Sequence, residues 1–127
     1  MKFLKQITIA LAVTLSMASM TPVSAAGKIE NATAADVAEA ISGAAKNAED
    51  ALAALKNGDS SETVLELIEA ARQDSKRIEV GRLDVKRTRA AAHLKNARSA
   101  VRKGDTAKAE AELTEAVKGY QEVKSMF

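Results

Sequence analysis

Few side chains in this 127-residue chain can do chemistry. There is one histidine, His93, and no cysteine, which excludes disulfides, thiolate metal sites, thiol nucleophiles and covalent haem attachment through C-x-x-C-H. The other candidates are carboxylates at helical spacing: Glu62, Glu66 and Glu69 in one stretch, Glu112 and Glu115 in another. Neutral imidazole is a good ligand for copper or nickel, so His93 is the one metal-ligand candidate. Helix packing would have to bring it a partner, such as Asn47 or a carboxylate like Glu49. Di-iron bundles use Glu together with Glu-x-x-His, and no Glu-x-x-His occurs here, so the carboxylate runs read as solvated surface. Non-covalent haem would have to pair His93 with Met126, the next-to-last residue, and is not expected. No Ser-His-Asp set, Gly-rich phosphate loop or paired buried acids can be argued, and an enzyme is not expected.

The elements that must position these residues are helices. The chain is 46% hydrophobic and 28% charged but only 2% aromatic, with a single Pro. That is poor material for strands, which favour aromatic and β-branched residues. Val37, Ile41, Ala44, Ala48, Leu52 and Leu55 recur at three- and four-residue spacing, with Thr33 as N-cap and Asn57-Gly58 as the stop. Asp59, with Glu62 three residues on, has capping-box spacing and opens a second helix through Val64, Leu67, Ile68, Ala71 and Ile78. A break at Glu79-Val80-Gly81-Arg82 precedes a third helix from about Leu83, carrying Ala90, Ala91, Leu94, Ala97 and Val101 to Lys103-Gly104. Asp105 or Thr106 caps a fourth, whose stripe is Ala109, Leu113, Ala116, Val117, Tyr120 and Val123. Asp59 and Asp105 therefore read as caps rather than cation ligands.

A shift of 46 positions superposes Gly58-Asp59 on Gly104-Asp105 and matches Ala51, Ala54, Glu66, Leu67, Glu69 and Ala70 with identical residues. Two αα-hairpins are implied. The expected architecture is all-α, an up-down-up-down four-helix bundle of about a hundred residues, a size able to bury one core.

Charge is segregated along this repeat. From Arg82 to Lys103 eight basic residues stand against Asp84 alone, a net charge of +7, whereas the other three helices carry −2, −3 and −2. Lateral pairing of the third helix with acidic neighbours is the expected use, and it would help fix which helix sits beside which. Nucleic acid is not an expected partner, because aromatic stacking groups are missing.

The first residues read as a processing signal. Met1 to Lys5 holds two lysines, Ile7 to Met20 is a short apolar run interrupted by Thr and Ser, and Pro22 to Ala25 ends in small residues. This is the layout of a secretory signal peptide over residues 1–25, cleaved after Ala25 or Ala26, rather than of a membrane span. Residues 26–127 then form one domain, expected in the periplasm and not inserted in the membrane. Its net charge is zero, because Lys2 and Lys5 leave with the signal and 17 basic residues face 17 acidic ones.

The order of signal peptide, acidic Ala-rich helix, Gly-centred turn and second helix, then the same again with His93-Leu94, Ala97, Gly104 and Glu115-Ala116, resembles the small metal-binding protein family of periplasmic four-helix bundles. The likeness spans roughly Asp36 to Val123. It implies the same bundle fold and binding of divalent copper or nickel through histidines spread over the helices, in a buffering or ferrying role. Here only His93 stands where such a histidine would stand. Asn47, Ala54, Asp59, Glu66, Ala100, Asp105 and Glu112 occupy comparable positions, so divalent metal binding is expected to be weak. A second likeness, to periplasmic stress proteins with an Ala-x-x-Ala-Leu, Gly-Asp, Leu-x-x-Ala hairpin, implies a metal-free alternative in which the partner is a periplasmic protein.

Cleavage has a direct readout. Protein recovered from the periplasm without detergent should begin at Ala26 or Gly27 by intact mass, and a membrane-bound species still carrying Met1 would overturn the signal-peptide reading.

Overall fold

The computed structural model describes residues 33–127, where all regular structure is helical. The elements are α1 (Ala34–Lys56), α2 (Ser61–Lys76), α3 (Asp84–Lys103) and α4 (Thr106–Met126), with a 3-10 turn at Gly81–Leu83 ahead of α3. The expected signal peptide lies outside the described residues. Among the described residues, no helix is long and apolar enough to cross a membrane.

Each helix end has a local cause. Thr33 caps α1 as expected: its hydroxyl accepts from the Asp36 N–H at 3.1 Å, and the Asp36 carboxylate accepts from the Thr33 N–H at 3.1 Å. The Thr33 N–H and hydroxyl both donate to this carboxylate, which favours its ionised form and holds the Asp36 carboxyl below its ordinary value. At the other end of α1 the Gly58 N–H donates to the Leu55 carbonyl and the Asp59 N–H to the Ala54 carbonyl. The Gly104 and Asp105 N–H groups do the same to Val101 and Ala100 at the end of α3. This double bond pattern needs a left-handed residue, and Gly58 (φ 79°) and Gly104 (φ 77°) supply it.

The two turns then diverge by one residue. Asp105 caps α4 by accepting from the Lys108 N–H, but α2 is capped by Ser60, whose hydroxyl accepts from the Thr63 N–H. The expectation that Asp59 caps the second helix is thereby corrected; serine is an equally good N-cap and stands one position nearer the helix. The second helix also ends sooner than its apolar pattern suggested. Arg77 is its C-cap, so Ile78 reaches the core from the connection, where it is fully buried with Leu83.

Helix α1 packs on α2 and α4, and α3 packs on α4 and more thinly on α2. Pairs across the α1–α2 and α3–α4 contacts run in opposite order along the two segments. Gly43 and Asn47 of α1 meet Asp74, and Glu39 meets Arg77; Arg82, in the 3-10 turn ahead of α3, meets Met126, and on α3 itself Lys86 meets Glu122 and His93 meets Glu112. The two helices of each hairpin are thus antiparallel, and the helix contacts fit a four-helix bundle. Most predicted core positions are buried, whereas Leu52, Leu55, Leu67 and Val117 pack only partly, at its rim.

Two features of the core were not legible as apolar pattern. Tyr120, fully buried on α4, donates its hydroxyl at 2.7 Å to Ser75 of α2, the one buried polar residue among those described. Burial pushes the Tyr120 phenol up to about 12, against the downward pull of the Ser75 bond and of the Arg87 and Arg72 charges. The second feature is close helix approach at mid-helix glycines. A Cβ at Gly119 would lie 2.8 Å from the Ala90 Cβ, and one at Gly43 would lie 2.5 Å from an Asp74 carboxylate oxygen. Burial raises the Asp74 carboxyl, although the Asn47 amide at 3.0 Å and Arg77 pull it back.

Glycine substitutions separate these roles. Nothing lies within 4 Å of a Cβ at Gly58 or Gly104, so Gly→Ala there costs only the left-handed backbone, about 1 kcal/mol each. Gly119→Ala should lower the Tm further than either, because α3 and α4 must separate. Thermal melts of the three variants check this, and an unchanged Tm in the turn variants would contradict it.

Candidate functional site

His93 lies on the face of α3 that meets α4, with 30% of its side chain exposed. Its Nδ1 stands 2.7 Å from Glu112 Oε1, and the Asn96 amide donates to the same oxygen at 3.4 Å. The imidazole holds the Glu112 carboxyl below its ordinary value, with Asn96 acting in the same direction and partial burial opposing both. An ionised carboxylate only accepts, so the proton of a neutral His93 sits on Nδ1 and the lone pair on Nε2. Metal-binding histidines are commonly oriented in this way by a carboxylate on the far ring nitrogen.

The partners expected for His93 are elsewhere. Asn47 donates to Asp74 across the α1–α2 contact, and Glu49 accepts from Gln121 at 2.5 Å. Both stand on α1, which packs against α2 and α4. Register alone brings the partner to within about one helical turn. In an antiparallel hairpin, residues about equally far from the turn face one another, and Lys86 and Glu122 stand equally far on either side of Gly104. The same count sets His93 opposite Glu115, one helical turn beyond its actual partner Glu112.

The carboxylate runs divide in the same way. Glu62, Glu66 and Glu115 are exposed, as surface residues should be. Glu69 and Glu112 are not simply solvated surface, because their helix positions turn them toward α3. Glu69 takes Arg72 at 2.8 Å and Arg98 of α3 at 3.4 Å, and the Gln73 hydrogen bond above all, with these arginines, holds its carboxyl below the ordinary value against partial burial. Among the described residues, no three His, Asp or Glu side chains gather where they could hold one metal ion. The donor set at His93 is one imidazole nitrogen, with Glu112 behind the ring.

The basic helix pairs with acidic groups on both neighbours. Arg98 reaches Glu69 of α2, and Lys86 reaches Glu122 of α4 at 3.3 Å. Arg82 donates to the Met126 carbonyl at 3.3 Å and lies 6.0 Å from the centre of the Phe127 ring. Comparison with family models, with curated proteins and with solved structures finds no match.

The Glu112 pairing carries a pH signature. Its folded-state value is depressed, so its contribution to stability is present above 4.5 and is lost as pH falls through the folded value. A carboxyl titration followed by NMR should place the Glu112 midpoint below 4.5, and His93→Ala should move it up toward that value. An unmoved midpoint would mean that the pair does not form in solution.

Proposed function

We propose that the protein is a small exported, non-catalytic helical bundle of the periplasm that binds a divalent ion such as copper or nickel weakly, through His93. The observation that carries this reading is the Glu112 carboxylate 2.7 Å from Nδ1, which orients the ring and leaves Nε2 as the ligand nitrogen. The resemblance to the small metal-binding proteins points the same way, and the shortage of imidazoles sets the strength. Copper and nickel are held tightly by shells rich in nitrogen or sulfur, and a single imidazole with water falls short of that.

A metal-free role as a helical interaction or stress-adaptor protein is the second reading. Large apolar side chains favour it: Val85 is 66% exposed, Met126 42% and Phe127 41%, all at the end of the α3–α4 pair away from the glycine turn.

Calorimetric titration decides between them. Copper(II) should bind no more tightly than about micromolar, about −8 kcal/mol, and His93→Ala should remove most of the heat while leaving the helical circular dichroism unchanged. Affinity should fall on acidification, because protons compete for the ligand nitrogen. Binding that survives His93→Ala would transfer the site to the carboxylates, and no binding at all would favour the metal-free role.

A further inference from the structure

A groove of about 240 Å³ lies between α3 and α4 beside His93. Its floor is Ala90 and Gly119, where the helices approach too closely for a further Cβ, so the chain has no side chain there to fill it. Its walls carry Lys86, Arg89 and His93 from α3, and Glu115, Lys118 and Glu122 from α4. Lys86 and Glu122 neutralise one another at 3.3 Å. Among the described residues, Arg89 and Lys118 enter no ion pair, and neither does Glu115.

Two cations thus face the groove with one opposing carboxylate, leaving an excess of positive charge while His93 is neutral. A guanidinium presents a fork that matches two oxygens of one anion, and an ammonium adds a point charge. An anion with a single charge gains little, because the pull of the groove's net positive charge scales with the anion's own charge. One with two or more charges engages both cations at once. We propose that this groove binds a small, multiply charged oxyanion between Arg89 and Lys118. The inference is independent of metal binding at His93, since the groups that would hold the anion are the two cations.

The probes are inorganic phosphate and citrate, titrated into the protein at low ionic strength, in buffer stripped of metal on a chelating resin. Amide NMR should give saturable shifts centred on Arg89, His93 and Lys118, the stronger probe showing whether phosphoryl or polycarboxylate chemistry is preferred. Arg89→Gln and Lys118→Gln should each weaken binding about tenfold, the scale of one charge-assisted hydrogen bond, and Glu115→Gln should tighten it. These side chains are exposed, so the variants should fold. Shifts that grow linearly without saturation, that sodium chloride reproduces at equal ionic strength, or that persist unchanged in Arg89→Gln would overturn the proposal.

Discussion

Contact between alanines across helix interfaces is the interaction on which the rest of this bundle depends. Twelve of the twenty-three buried apolar residues among those described are Ala. A methyl group buries little area, so each such position contributes less than a Leu or Ile would. What it provides is proximity, since helices with small facing residues can approach toward the short end of the usual interaxial range. The Ala90–Gly119 contact is the limiting case, where one helix gives up even its methyl group. Larger side chains fill the rest of the core: Ile41, Ile68, Leu94, Leu113 and Tyr120 are all fully buried.

Close approach sets the terms for polar groups. The Tyr120 hydroxyl, carried into the interior by its ring, must find an acceptor, because an unpaired buried hydroxyl is costly. Ser75 supplies it, and the bond ties α4 to α2, across the bundle from one another. Asp74 shows the opposite arrangement, a carboxylate admitted between α1 and α2 only because Gly43 leaves space for it. Both bonds are specific to register. A slip of either helix would strand a polar group in the interior, so they select one alignment among the several that an Ala-rich interface would tolerate.

A core filled in this way leaves the inside of the bundle to methyl groups and a few large side chains. Chemistry is therefore confined to the outer faces, where α3 concentrates the basic residues and its neighbours the acidic ones. The hairpin built on Gly104 draws His93 to Glu112 and Lys86 to Glu122, and the same close contact cuts the groove beside them. Among the described residues, the contact between α3 and α4 thus also forms a face where an imidazole, two cations outside any ion pair and a carboxylate lie together.

The sequence by itself determined the helices, the Gly58 and Gly104 turns, the Thr33 cap and most of the buried stripe, and narrowed the last cap to Asp105 or Thr106, because each depends on residues within about one turn of one another. Local pattern failed where two local solutions were nearly equal, as at Asp59 and Ser60, or where a connection rather than a helix delivered the side chain, as at Ile78. Only the tertiary structure decided the partner of His93, the acceptor of Tyr120 and the value of Gly43 and Gly119. Those are contacts between helices, and a stripe of identical methyl groups carries almost no register of its own. A single polar pair or missing methyl group supplies it, and neither can be recognised until the two helices lie side by side.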